Sequence, residues 1–167
     1  MNPDLLIGRL AIFAKGLHQL LGGLSDADAR WRPPDGGWSI LEIIGHLISE
    51  DRDDFRTRLE SLLSDPSKPW PVLDPEAAIQ EHGFNEADFK KALAQFEMER
   101  GRNVAWLRNL GSAVWTEAHD HRGREIRGGD LLAAWACHDA LHLRQIATRL
   151  EKMSERDAPG FSTAYAR

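Results

Sequence analysis

The sequence predicts an all-α fold, organised as a four-helix bundle. Four long segments carry apolar residues at helical spacing, and no stretch shows the sustained alternation of a β-strand. The chain has 167 residues and one cysteine, Cys137, so no intramolecular disulfide can form, and we expect that cysteine to be a small core residue. This length can bury its own apolar core. We therefore expect a single domain over residues 1–167, with a loosely packed tail from about residue 156.

The first two helices are marked by their capping residues. The first is predicted to begin after the cap Asn2 and to end at Gly22. The second is predicted to begin at the capping box formed by Ser39 and Glu42, in which each side chain accepts a hydrogen bond from a free backbone N–H. It is predicted to end at the proline-rich stretch 64–71, because proline cannot continue a helix.

The last two helices follow a long connection over residues 64–84, in which a helical turn is expected after the Asp-Pro pair at 74–75. The third helix is predicted from the cap Asn85 to Gly111. The stretch 119–130 is polar and rich in glycine, which indicates a loop or a hairpin. Asp130 is expected to cap the fourth helix.

Composition excludes several classes of protein. The net charge is −5, the calculated pI is about 5.8, and Lys and Arg are spread along the chain, so a nucleic acid is not expected as a partner. No apolar run reaches the ~18 residues of a membrane span, and the first residues lack the apolar core of a signal peptide. Nucleotide-binding and serine-hydrolase motifs are absent. We expect a cytoplasmic protein that does not bind membranes.

Two histidines of the predicted fourth helix suggest a site. His138 and His142 are four residues apart, which places both on one helix face together with Leu131, Trp135 and Ile146. Two interpretations stay open at this point. The histidines are hydrogen-bonded core residues, or they are two ligands of a metal ion that needs a third.

His46 is the candidate for the third ligand. It lies in the middle of the second helix, directly after Gly45, and a glycine inside a helix suggests that another group approaches the backbone closely. On the helical wheel it shares an edge with Glu50, which suits a site at the flank of the bundle. His119 and His121 lie in the polar stretch, where solvated side chains are expected.

Three other residues near these histidines have two interpretations each. "HDALH" resembles the H-E-x-x-H motif of zinc proteases, but Asp139 replaces the catalytic Glu, so that class is disfavoured. Asp139 is instead expected to orient a ligand or to be solvated. Trp38 and Trp135 are expected either to line a pocket or to belong to the core.

The sequence resembles the DinB-like superfamily, the YfiT-type metal-binding four-helix proteins. The resemblance depends on "RWRPPDGGWSILEIIGHLISEDRDDF" and, 92 residues after His46, on "HDALHLRQI". The family's recurring signs are W-S-I/V at the start of the second helix, a histidine followed by Leu about a turn and a half later, and H-x-x-x-H in the fourth helix. All are present in order, and the resemblance spans nearly the whole chain.

The resemblance implies a bundle with long crossover connections and often a homodimer. It places a metal-binding triad on His46, His138 and His142, with Zn or Ni as the divalent ion. Some relatives are thiol-dependent S-transferases or isomerases that use bacillithiol or mycothiol as a low-molecular-weight thiol. In mycothiol-dependent maleylpyruvate isomerases Glu can replace one histidine of the triad, whereas this sequence keeps all three.

The chemistry of such a site leaves two function classes. Three neutral imidazoles leave a divalent ion its full charge and an open position, which is the ligand set of a catalytic zinc. A metal-dependent thiol S-transferase, isomerase or hydrolase that acts on a small electrophilic molecule is therefore expected. Glu50 is its candidate base, although a solvated acid in the run "SEDRDD" is the alternative. The second class is a non-catalytic metal-binding bundle.

Overall fold

The structure, a computed structural model, describes residues 1–72 and 74–166. The α-helices within these ranges are α1 (Pro3–Leu21), α2 (Asp26–Arg30), α3 (Ile40–Ser49), α4 (Phe55–Ser64), α5 (Pro75–His82), α6 (Phe89–Arg108) and α7 (Gly128–Asp157). A π-helix over Glu50–Asp54 joins α3 to α4 without a break. The antiparallel hairpin of β1 (Ala118–His121) and β2 (Arg124–Arg127) precedes α7. No described helix has the length and apolarity needed to span a lipid bilayer.

The predicted four-helix bundle is confirmed. The four members are α1, the continuous α3–π–α4 helix, α6 and α7. Helix α1 packs on α6 and α7, α3 packs on the same two helices, and α4 packs on α7. The core consists of one cluster around α3 and a second cluster between α4 and α7. Nine of the ten residues of α3 are buried, so nearly all of this helix faces protein rather than bulk water.

The predicted caps of the first two helices are confirmed. The Asn2 side chain accepts a hydrogen bond from the Leu5 N–H at 3.2 Å. Ser39 and Glu42 form both hydrogen bonds of the capping box, at 3.1 and 2.9 Å. The predicted helical turn after the Asp-Pro pair is α5. Local capping chemistry therefore places the beginnings of these helices correctly.

The predicted starts of the last two helices are wrong by a few residues. Asp88, rather than Asn85, caps α6, because the Asn85 side chain instead accepts a hydrogen bond from the Ser39 hydroxyl. Helix α7 begins at Gly128, and Asp130 is its third residue, whose carboxylate accepts the Arg127 N–H at 2.9 Å. The stretch predicted as a loop or hairpin is a hairpin that leads directly into this helix.

Two predicted burial states are also wrong. Cys137 is exposed rather than a core residue, since it lies on the outer side of α7. His119 is buried rather than solvated, because its ring stacks on Trp70 at 4.1 Å and its Nδ1 donates to the Pro66 carbonyl at 2.7 Å. His121 stacks on the same tryptophan at 5.6 Å. The hairpin thus folds back onto the proline-rich connection.

A buried ion cluster joins the helices of the bundle. Arg100 of α6 donates to both carboxylate oxygens of Asp51 at 2.7 and 2.8 Å, and to Asp139 of α7 at 2.5 and 2.8 Å. It also donates to the Leu10 carbonyl of α1. The indole N–H of Trp135 donates to Asp51 at 2.8 Å. One guanidinium and two carboxylates, all nearly inaccessible to water, therefore tie all four members of the bundle together.

Replacement of Arg100 is expected to destabilise the fold strongly. Arg100→Met leaves two buried carboxylates without a cation, which should cost about 3–5 kcal/mol of unfolding free energy. The control is Arg102→Met in the same helix, whose exposed pair with Glu99 should be worth less than about 1 kcal/mol. Urea denaturation of both variants measures the difference. Equal costs for the two variants would contradict a structural role for the cluster.

Gly45 confirms the predicted close approach to the second helix. A Cβ built on Gly45 would lie 2.3 Å from the ring of Phe84, which belongs to the short 3₁₀ turn after α5. Only glycine lets that ring pack on the backbone of α3. The contact holds the connection between α4 and α6 against the helix that carries His46.

The Gly45–Phe84 contact predicts that Gly45→Ala changes the free energy of unfolding in opposite directions with and without the Phe84 ring. Gly45→Ala alone should destabilise by about 1–3 kcal/mol through overpacking. In a Phe84→Ala background the same change should stabilise by up to about 1 kcal/mol, which is the usual preference of a helix for Ala. Gly101→Ala in α6, where nothing lies near the added Cβ, is the control and should also stabilise. Urea denaturation measures the free energy of unfolding of all four variants. An increase caused by Gly45→Ala in the wild-type background would refute the clash.

Candidate metal centre

The structure brings the three predicted histidines together. The Nε2 atom of His138 lies 3.2 Å from Nε2 of His46 and 3.0 Å from Nε2 of His142. One ligand atom from each residue lies within 4.8 Å of the others. His46 comes from the buried α3, whereas the other two come from successive turns of α7. The site therefore forms only when these two helices pack together.

The nitrogen spacing fits a divalent ion. Tetrahedral zinc with Zn–N bonds of about 2.0–2.1 Å places neighbouring nitrogens about 3.3 Å apart. The observed separations of 3.0 and 3.2 Å are close to that value. The Nδ1–H of His142 donates to the Gln145 side-chain carbonyl at 2.7 Å, which leaves the Nε2 lone pair directed at the cluster. A ligand with a fixed tautomer is what a metal site requires.

The surroundings keep these imidazoles neutral. Burial, together with the charge that the adjacent His142 can carry, lowers the pKa of His46 to about 4. Burial, the two other histidines and Arg100 lower the pKa of His138 to about 3. Burial also lowers the pKa of His142. Neutral imidazole is the form that binds a metal, so the unprotonated ligands are available at neutral pH.

Aromatic side chains enclose the cluster. The Trp38 ring stacks parallel to His142 with centroids 6.3 Å apart, and it meets His46 edge-on at 5.1 Å. Phe55 meets His138 edge-on at 5.4 Å. Trp38 is therefore a wall of the site, whereas Trp135 is fully buried core. Among the described residues, none gives the buried Nδ1 of His138 a hydrogen-bond partner, so this ring is oriented by packing and by the contacts of its Nε2 atom.

Glu50 lies beside the histidines and is not a solvated acid. Its carboxylate is 3.8 Å from Nδ1 of His46, and its side chain is 13% exposed. Burial, to which the charge of Asp54 adds, raises the pKa of the Glu50 carboxyl to about 8. A carboxyl group with a pKa near neutrality can both accept and donate a proton, which suits an acid–base role.

An open cavity of ≈ 420 Å³ adjoins His46 and Glu50. Helix α5 forms its opposite wall with Pro75, Ala77 and Ala78, so a small molecule could lie between α5 and the histidines. A cavity of this size is typical of sites for small ligands. The exposed Glu81 also lines it and offers a matched comparison with Glu50.

Asp139 fulfils neither of its predicted roles. It is buried rather than solvated, and its carboxylate binds Arg100 rather than one of the histidines. Burial raises the pKa of Asp139 to about 6 even though Arg100 lowers it. Because Asp139 follows His138 directly, the same turn of α7 presents a histidine to the site and a carboxylate to the buried ion cluster.

Gln145 and Asp51 were missed by the sequence analysis. Gln145 fixes the tautomer of His142 from three residues away, and a Gln or Asn at that spacing after a candidate ligand is a signal that could have indicated it. Asp51 lies in the acidic run after Ser49 and is 1% exposed. Nothing in the sequence of that run distinguishes it from Asp53, which is exposed.

Comparisons with known proteins agree with the fold. A family model described as the DinB superfamily matches residues 10–146. A solved structure, YfiT from Bacillus subtilis, matches with a TM-score of 0.81 and 21% sequence identity, covering 91% of this chain and 87% of that chain. That protein is described as a probable metal-dependent hydrolase with an unusual four-helix bundle topology. At this identity the likeness shows the fold. No curated protein matches the sequence significantly.

The metal-free protein should lose stability as the pH falls below about 6.5. Unfolded histidines have pKa values near 6.5, whereas those of His46 and His138 are lowered in the fold. Between these values the unfolded chain binds more protons, so the unfolding free energy should decrease from pH ~6.5 toward pH ~4. Urea denaturation in EDTA at several pH values measures this decrease. The unfolding free energy should fall less steeply with decreasing pH for His138→Phe than for the wild type. His82→Phe, at an exposed position, is the control. The same pH dependence of the unfolding free energy in all three proteins would count against the prediction.

Proposed function

Since the chain belongs to the DinB superfamily, we propose that it is a metal-dependent enzyme that acts on a small electrophilic molecule. The observation that carries this proposal is the convergence of three imidazole nitrogens next to an open cavity that also contains a carboxylate. A purely structural metal site is normally closed by a fourth protein ligand. Among the described residues, no fourth His, Cys, Asp or Glu joins the cluster.

In this proposal His46, His138 and His142 hold the ion. When bound, a divalent ion supplies a Lewis acid, which lowers the pKa of a coordinated water or thiol. Gln145 holds the ring of His142, and Trp38 and Phe55 keep bulk water from the cluster. The cavity below α5 receives the substrate. Zinc or nickel as the ion, a homodimer and a cytoplasmic location stay predictions from the sequence.

Glu50 moves the proton in this scheme. Its carboxylate takes a proton from the attacking nucleophile as the new bond to the electrophilic atom forms. The bond to the leaving group then breaks, and Glu50 returns the proton to that group. The position of Glu50, at the cavity and beside His46, supports this role, because a general base must reach both the nucleophile and the substrate.

Hydrolysis is the reaction that the position of Glu50 favours. Water needs a base in order to become a nucleophile, and Glu50 offers one at the cavity. The description of YfiT as a probable metal-dependent hydrolase agrees with this choice. Transfer of a low-molecular-weight thiol is the second candidate. Besides the family resemblance, the open ≈ 420 Å³ cavity favours it, because two small reactants have room there.

Metal titration and activity assays test the proposal together. The wild type should bind about one Zn²⁺ per chain, and excess Zn²⁺ should raise the melting temperature because the ion binds only the folded state. His46→Ala, His138→Ala and His142→Ala should each abolish both effects. Glu50→Gln should retain the ion but lower kcat for 4-nitrophenyl acetate hydrolysis by about 10²–10⁴-fold.

Glu81→Gln is the matched control for Glu50, since it removes an exposed carboxylate from the same cavity. It should leave kcat within about twofold of the wild type. Conjugation of cysteine to 1-chloro-2,4-dinitrobenzene, measured in parallel, separates thiol transfer from hydrolysis. A zinc-loaded protein that accelerates neither reaction, and whose bound ion takes up no thiol or small anion, would instead be a non-catalytic metal-binding bundle.

A further inference from the structure

A second cavity, of ≈ 540 Å³, lies on the side of Trp38 that includes Gln145. The residues that matter for its chemistry are Arg32, Glu42, Glu76, Gln145 and Arg149. Its link to the histidine cluster is short. Gln145 lines the cavity and accepts the Nδ1–H of His142, and the Trp38 ring that forms its wall stacks on the same histidine. A molecule in this cavity would therefore lie one side chain away from a candidate metal ligand.

Arg149 is fixed in this cavity without an acidic partner. The residue is only 9% exposed, and its Nε donates to the Trp38 carbonyl at 2.6 Å. Among the described residues, none accepts a hydrogen bond from its two terminal amino groups. The hydrogen bond from Lys152 lowers the pKa of the Asp35 carboxyl, and the charge of Arg149 contributes to this lowering, but Arg149 itself is not hydrogen-bonded to Asp35. A guanidinium that is buried and oriented, with its terminal N–H groups unused, is prepared for an anion.

The backbone near Arg149 leaves room for its guanidinium. A Cβ built on Gly37 would lie 2.1 Å from the Nη2 atom of Arg149. Any residue other than glycine at this position would force the guanidinium to move. The chain thus has its smallest residue beside the Arg149 guanidinium. This is expected if the position of that guanidinium is important for binding a ligand.

The other charged side chains that line the cavity already have hydrogen-bond partners. Arg32 donates through Nε to the Glu42 carboxylate at 2.9 Å, and Glu76 accepts the indole N–H of Trp38 at 3.3 Å. Of the described residues that line this cavity, Arg149 is the cation to which no carboxylate is bound. The cavity also offers apolar contact to a ligand through the Trp38 ring and Ile79.

We propose that this cavity is a carboxylate-binding subsite, in which Arg149 receives a carboxylate of the substrate in a bidentate pair. The apolar part of that substrate packs on Trp38 and Ile79. The inference rests on the proposed function, because it adds a substrate class to the same site. It selects small molecules that carry a carboxylate, whichever reactant provides it, and disfavours cationic ones.

Three probes of nearly equal shape test the charge preference. Benzoate, benzamide and benzamidinium are titrated into metal-free protein and followed by calorimetry, because an ion at the histidines would itself bind carboxylates. Benzoate should bind at least about tenfold more tightly than benzamide, and benzamidinium should bind no better than benzamide.

Variants then test the role of Arg149. Arg149→Met should weaken benzoate binding about tenfold or more and leave benzamide binding unchanged. Gly37→Ala keeps the charge but crowds the guanidinium, so it should also weaken benzoate binding, and it remains informative if Arg149→Met does not fold. Arg144→Met, at an exposed position of the same helix, is the control and should have no effect.

The outcomes separate this inference from the proposed function. Arg149-dependent benzoate binding without an ion supports the subsite even if neither reaction is accelerated. Equal binding of benzoate and benzamide, or preference for benzamidinium, overturns it and leaves Arg149 as a structural support of Trp38. The last comparison uses metal-dependent hydrolysis of phenyl acetate and of its 4-carboxy derivative. If the two esters have the same kcat/KM and respond equally to Arg149→Met, the proposed function is preserved and the subsite is rejected.

Discussion

The pairing of Arg100 with Asp51 and Asp139 is the interaction on which the rest of the bundle depends. Burial alone would lower the pKa of the Arg100 guanidinium, but the charges and hydrogen bonds of the two carboxylates raise it above its usual value. The three side chains are nearly inaccessible to water, so each charge needs the opposite charge beside it to offset the cost of burial. Because they come from three different helical segments, this requirement fixes how those segments align.

That alignment also determines the histidine cluster. Asp139 is the immediate neighbour of His138, and Asp51 lies directly after Glu50. Rotation of either helix to move a histidine or the candidate base would break the buried ion cluster on the other side. The candidate site is thus held by a charged core, which keeps the neutral imidazole of His138 within hydrogen-bond distance of the other two.

The sequence predicts the helices and the pair of His138 and His142 because both depend on local spacing. His46 lies 92 residues earlier, and its place in the triad was predicted from Gly45 and from the family resemblance. Capping boxes and i, i+4 pairs are read directly from neighbouring residues, and the start of the second helix was predicted correctly for that reason. Burial of a polar residue depends on distant partners instead. Asp51 and Asp139 find theirs on α6, and His119 packs on Trp70, some 50 residues earlier in the chain. Neither these partners nor the π-helix after Ser49 has a local signature, so no spacing rule predicts them.

Helix α5 has fewer buried side chains than the four helices of the bundle. It lines both cavities, yet of its described residues only Ile79 is buried. A 3.3 Å hydrogen bond from Trp38 ties it to the site, and Gly83, in the left-handed region at φ 56°, ends it. Local opening is least costly where few apolar contacts must be broken. Among the described walls of the candidate site, this short helix is therefore the one expected to open at the least cost, while the charged core stays closed.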